Sequence, residues 1–119
     1  MPVVAIGVMR LDDWRQGLKF KAQAERSLRE ARRTEGCLHA DATQIDDLYY
    51  SLSMWRDEAS IAAFMRAPGH AQAMRSLARY GASLGFLKYE AEICPDWDDA
   101  KERWSAHLRE PSATAPKSL

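Results

Sequence analysis

Two side chains of this sequence can move protons in a way that a small-molecule site could use, His70 and Tyr50. His70 falls on one helical face with Met74 and Leu77, at spacings of four and three, so it points inward. Imidazole titrates near neutral pH and can serve as base, acid or iron ligand. Tyr50 belongs to an alternating stretch, with Leu48, Leu52 and Met54 on its own face. A phenol facing His70 suits proton transfer to an aromatic or quinol-like substrate. The pattern predicts a catalytic pair, His70 and Tyr50, in a pocket lined by Ile6, Val8, Leu52, Phe64 and Met74. The covering helix breaks at Pro68-Gly69, and such a break leaves room that a continuous helix would fill. The competing readings are plain: a histidine bonded locally in the first turn of a restarted helix, and a core tyrosine with its hydroxyl satisfied.

Other constellations carry less. His39 and Asp41 project the same way from one strand and could be joined by Glu90 or Glu92, but the spacing is not that of a metal site and none is expected. Cys37 and Cys94 form neither a metal motif nor a disulfide framework, which suits reduced thiols in the cytoplasm. Lys+Arg and Asp+Glu are both 17, so neither nucleic acid nor an anionic membrane is favoured as a partner. The longest apolar run, Val3 to Met9, is a strand and far too short to span a bilayer. Met1-Pro2 leads into it with no basic n-region, so no signal peptide is expected. A basic row on the first helix, Arg15, Lys19, Arg26, Arg29, Arg32 and Arg33, reads as a solvated outer face.

The elements that must position these groups follow from periodicity. Pro2–Leu11 reads as a buried strand. Trp14–Arg33 is a helix with Phe20, Ala24, Leu28 and Ala31 in one stripe, entered through Asp12 or Asp13 and ended by Gly36. Cys37–Gln44 and Leu48–Trp55 form a hairpin across Ile45-Asp46-Asp47. Asp57 caps a helix bearing Ile61, Phe64 and Met65, and a second helix restarts at His70. Leu84–Ile93 is the fourth strand, and Asp96 or Asp98 opens a short helix to about Leu108. One domain over 1–110 is expected, then a flexible tail over 111–119.

This order, β-α-β-β-α-β plus a terminal helix, predicts an α+β ferredoxin-like fold: a four-stranded antiparallel sheet with helices on one face and the second and fourth strands at its edges. Cys37 and Cys94 then lie too far apart for an intrachain bond. The helix-covered face is expected to hold Leu38, Ala40, Ala42, Leu48, Tyr50, Leu52, Met54, Leu87, Tyr89 and Ile93. His39, Asp41, Thr43, Tyr49, Ser51, Ser53, Trp55, Lys88, Glu90 and Glu92 are expected on the open face. Tyr49 and Trp55 among those charges suggest a surface that meets a second copy, hence a homodimer.

Gly36-Cys37-Leu38, Ser53-x-Trp55, Asp57-Glu58, Phe64 and His70 together resemble the dimeric α+β barrel superfamily, over roughly residues 3 to 94. That superfamily includes antibiotic-biosynthesis-type and haem-degrading monooxygenases, and in it two ferredoxin-like subunits pack sheet to sheet. The resemblance implies a small monooxygenase-like protein that holds a hydrophobic or aromatic molecule between sheet and helices without a cofactor. The alternatives are a non-catalytic binding module and a haem-binding protein using His70. In the haem-degrading relatives the helix carries a tryptophan and, ten residues later, the haem-ligating histidine. Phe64 and Met74 stand at those positions here, so that pattern is broken.

Overall fold

The computed structural model describes residues 1–12 and 17–109. Its elements are β1 (Val3–Leu11), α1 (Gly17–Arg33), β2 (Cys37–Ile45), β3 (Leu48–Trp55), α2 (Glu58–Arg66), α3 (Pro68–Leu77), β4 (Gly81–Glu90) and α4 (Trp97–Arg109). The four strands make one antiparallel sheet in the order β2-β3-β1-β4, with β2 and β4 at the edges as the element order predicts. The expected residues 14–16 of the first helix, Asp13 as its cap and the tail over 111–119 lie outside the described residues.

Local chemistry explains several boundaries. Asp57 caps α2, its carboxylate accepting from the Ser60 N–H at 2.8 Å and the Ser60 hydroxyl at 2.7 Å. These bonds hold the Asp57 carboxyl below its usual range. Pro68 sits at the first position of α3, where its missing N–H costs nothing. The helix therefore restarts two residues before His70. Strand β4 also differs from expectation. It begins at Gly81 because β1 runs to Leu11 and pairs with it there, and it ends at Glu90, opposite Val3. Ile93 is consequently outside the sheet and 83% exposed.

The main correction concerns the faces of the sheet. The hairpin turns on two residues, Asp46 and Asp47, with Asp46 in the left-handed region at φ 55°. Ile45 therefore pairs with Leu48, and Ala42 with Ser51. In this register even-numbered residues of β2 share a face with odd-numbered residues of β3. Ala40 and Trp55 thus lie together beneath α1 and α2, with Ala5, Ala31 and Ile61. Leu48, Tyr50, Leu52, Met54, Leu87 and Tyr89 face the other way, where α4 covers them with Ala100 and Trp104. Leu38 falls at a register shift between Cys37 and His39 and is 56% exposed.

Both faces are therefore covered. Trp55, expected at an open surface, is 1% exposed. Tyr49 packs edge-on against Phe20 at 4.7 Å between centroids. Neither is available to a second copy. Glu90 pairs with Val3, on the opposite face from His39 and Asp41, so the carboxylate imagined beside them is across the sheet.

Candidate functional site

The helix-covered face has two apolar clusters rather than one. Ala5, Ala31, Ala40, Trp55 and Ile61 form the first, with Leu28, Cys37 and Phe64 against it. Leu11, Phe20, Ala24 and Leu77 form the second, with Met9, Tyr49 and Tyr80. Between them the sheet presents small groups. Gly7 pairs with Ser51, and Ala5 with Ser53, all on this face. Gly7 lies in a central strand, yet it is only half-buried while Val3 to Ile6 and Val8 are buried. Solvent thus reaches the floor of the sheet at Gly7. Helix α1 runs close over β2, whereas α2 and α3 have few close backbone approaches to β1 and β4.

A row of rings lies on the same side of the sheet. Trp55 and Phe64 have centroids 5.0 Å apart, and Phe64 and His70 4.8 Å apart. The Trp55 indole N–H donates to the Ser53 hydroxyl at 2.9 Å, which fixes the ring. The sequence places Phe64 on the inward stripe of α2 and His70 in the first turn of α3, and the helix break at Ala67-Pro68 brings the two rings together.

His70 is the group with chemical promise. Its Nδ1 is buried and has no hydrogen-bond partner among the described residues. Burial lowers its pKa below the usual histidine value, so the neutral ring persists to lower pH. A buried nitrogen without a partner carries a desolvation cost that a bound donor would relieve. The Glu30 carboxylate of α1 stands near the same helix start, 3.4 Å from where a side chain at Gly69 would begin.

The other expected site residues fall elsewhere. Ile6, Val8, Leu52 and Tyr50 belong to the α4-covered cluster, so the Tyr50 phenol does not face His70. Met74 is 44% exposed. On the side of α1–α3, Phe64 and His70 of the expected set meet, and Trp55 joins them through Phe64, its indole bonded to Ser53. The hairpin register was the signal that could have placed Trp55 here. Tyr49, at the far cluster, has its pKa pushed up to about 12 by burial and then by Glu25 and Asp41. Among the described residues no group of three His, Cys, Asp or Glu side chains is close enough to hold a metal ion. Haem ligation in the manner of the haem-degrading relatives does not fit, because the ligand's position holds Met74 in place of a histidine.

The profile of the antibiotic biosynthesis monooxygenase family matches residues 11–76, more than half of the chain. The chain belongs to that family. The match ends within α3, so β4 and α4 lie beyond it. Comparison with curated protein sequences gives no match. Solved structures of the same fold include SnoaB, a cofactor-independent oxygenase from Streptomyces nogalater. It is 15% identical, with a TM-score of 0.69 over 80% of this chain and 98% of SnoaB. A conserved protein from Methanosarcina mazei Go1 is 14% identical, with a TM-score of 0.70 over 77% of this chain and 94% of its own. A conserved protein of unknown function from Bacteroides thetaiotaomicron is 16% identical, with a TM-score of 0.67 over 76% of this chain and 97% of its own. Identities this low establish the shared fold. Among the described residues no helix is long and apolar enough to cross a membrane.

Proposed function

We propose that this family member binds a flat hydroxylated aromatic molecule in the hollow between the sheet and α2–α3, and oxygenates it without a cofactor. The observation that carries this reading is the orphaned Nδ1 of His70, whose ring packs on Phe64, itself packed on Trp55. The half-buried Phe64 ring supplies an apolar face for the substrate. The nitrogen accepts the proton of a substrate hydroxyl, giving an electron-rich enolate or phenolate that dioxygen can oxidise. For a substrate methylene that becomes a carbonyl, one oxygen atom enters the product and the other leaves as water. All four electrons taken up by dioxygen then come from the substrate. The description of SnoaB as a cofactor-independent oxygenase supports this chemistry on the same fold. The free thiols of Cys37 and Cys94 support a reducing, cytoplasmic setting.

A homodimer remains part of the reading, with a changed basis. Leu38 beside the β2 edge and Ile93 after β4 are the exposed apolar groups it would cover, in place of Tyr49 and Trp55. A monomer mass by light scattering at micromolar concentration removes it.

The test of function is oxygen uptake with a panel of anthrones and naphthoquinols, in wild type and His70→Gln. Wild type should turn over at least one of them. The variant should lose about 10²-fold or more in kcat and keep its melting temperature. Tight binding without oxygen uptake in wild type would make the chain a binding module. A Soret band on adding haemin would point to haem instead.

A further inference from the structure

We infer that β4 is the edge through which two copies of this chain pair, antiparallel β4 against β4 across a two-fold axis at Leu87. The inference rests on the homodimer of the proposed function and narrows it to one edge. Both faces of the sheet carry helices, so backbone pairing is left to its edges, β2 and β4. These edges are opposite, and a two-fold strand contact uses one of them. Edge β2 is closed chemically. Residues two apart on a strand turn their backbone groups the same way. At β2 the Ala40 carbonyl accepts from Arg32 Nε at 2.9 Å, and the Ala42 N–H donates to Asp41 Oδ1 at 2.8 Å. Arg32 and Asp41 themselves lie 4.0 Å apart. Groups that an added strand would need at β2 are thus occupied by a clasp between α1 and the strand. The register shift between Cys37 and His39 blunts this edge further.

Edge β4 is built differently. The Ala91 N–H donates to the Pro2 carbonyl at 3.0 Å. By alternation Gly85, Leu87 and Tyr89 turn their backbone groups toward β1, and Phe86, Lys88 and Glu90 turn theirs to the open edge. Pairing with β1 is regular from Gly85 to Glu90. The strand carries no charge from Gly81 to Leu87, and Lys88 is engaged by Glu58. Leu84 and Phe86 are 38% and 45% exposed. An uncharged edge with exposed apolar groups is one that another strand extends. A second copy fits it because the strand is self-complementary about Leu87. Phe86 then lies opposite the partner subunit's Lys88, whose stem and ammonium suit a ring face. Leu87 meets the partner subunit's Leu87, and Tyr89 lies beside the partner subunit's Gly85, where no side chain obstructs it. No like charges meet, and the outward backbone groups of Phe86 and Lys88 exchange hydrogen bonds across the axis.

The test compares wild type, Phe86→Lys and Leu38→Lys by light scattering across micromolar concentrations. Wild type should be a dimer. Phe86→Lys sets like charges opposite one another twice and should raise the dissociation constant about tenfold or more, with an unchanged far-UV circular dichroism spectrum. Leu38→Lys, at the closed edge, should dimerise as wild type does. The axis is read separately by Leu87→Cys in a Cys37→Ser, Cys94→Ser background, with diamide as oxidant. Leu87 faces its counterpart in a pair without backbone bonds, at a separation a disulfide spans, so the variant should link into a covalent dimer. The same background without Leu87→Cys has no thiol and should stay unlinked. A wild-type dimer that survives Phe86→Lys, or that comes apart with Leu38→Lys, overturns the inference and leaves the homodimer standing. A dimer in which Leu87→Cys fails to link overturns it as well. A monomeric wild type removes inference and homodimer together, leaves β4 to a strand of another protein, and does not touch the oxygen-uptake test of function.

Discussion

The two faces of the sheet are packed to different standards. Beneath α4 the core is one cluster: Val4, Ile6, Val8, Leu52 and Met54 pack with Ala100 and Trp104. The fit is close enough that Gly85 leaves space for the Trp104 ring, and a Cβ there would come within 2.8 Å of it. The Arg103 guanidinium lies 4.2 Å over the centre of the Tyr89 ring at the rim of the same cluster. Beneath α1–α3 the core is divided, the floor is glycine and serine, and a buried imidazole nitrogen lacks a partner. Dense packing yields stability, whereas a site needs room and an unspent polar group. The comparison teaches that α4 secures the sheet from one side and so permits a looser, chemically equipped side opposite.

The largest test of that difference is Trp104→Ala. It removes a side chain that is 4% exposed and should cost about 3–5 kcal/mol in urea unfolding. An effect under about 1 kcal/mol would mean that α4 merely rests on the sheet. The next test sets two glycines against each other. Gly85 has φ 142°, which side-chain-bearing residues rarely adopt, and faces a fixed indole. Gly85→Ala should therefore cost about 1–3 kcal/mol. Gly7→Ala crowds the Ser51 hydroxyl at 2.9 Å, which can turn, and meets the Phe86 ring at an ordinary 4.0 Å, so its stability should stay within about 1 kcal/mol of wild type while affinity for a flat aromatic ligand drops. Equal losses of stability in the two variants would erase the distinction between the faces.

The smallest expected effect is a pH dependence. Burial holds the folded-state pKa of His70 below the ordinary 6.5. The unfolded chain binds that proton first, so this contribution to stability is complete above about pH 6.5. It is lost as pH falls from there toward the lower folded value. Comparing wild type with His70→Gln between pH 7 and 5 isolates it, and an unchanged slope would show that the ring is solvated.

Much of the fold was legible in the sequence because strong periodicity survives tertiary context. The eight residues of β3, the break before α3 and the edge positions of β2 and β4 all followed from alternation, proline and element order. The facing of β3 did not. Hydrophobicity favours Leu48, Tyr50, Leu52 and Met54 as the helix side, and a two-layer fold has one apolar face. Here a third layer, α4, takes that set. The odd-numbered row of Tyr49, Ser51, Ser53 and Trp55 is left for α1–α3. His70 and Phe64 meet on the inward side as their helix phases predict, because helix phase is local. Tyr50 was misplaced because strand facing depends on the partner strand, and the two-residue turn at Asp46-Asp47 decides it.

The sheet also separates the two cysteines. Cys37 packs with Trp55 and Ala40 under the first three helices, and Cys94 packs with the cluster under α4. Burial raises both thiol pKa values, which slows their reaction with alkylating reagents. The chain therefore contains a matched pair of reporters. Each thiol's alkylation rate follows the transient opening of its own layer, so a ligand that braces the helices should protect Cys37 and leave the rate at Cys94 as it was.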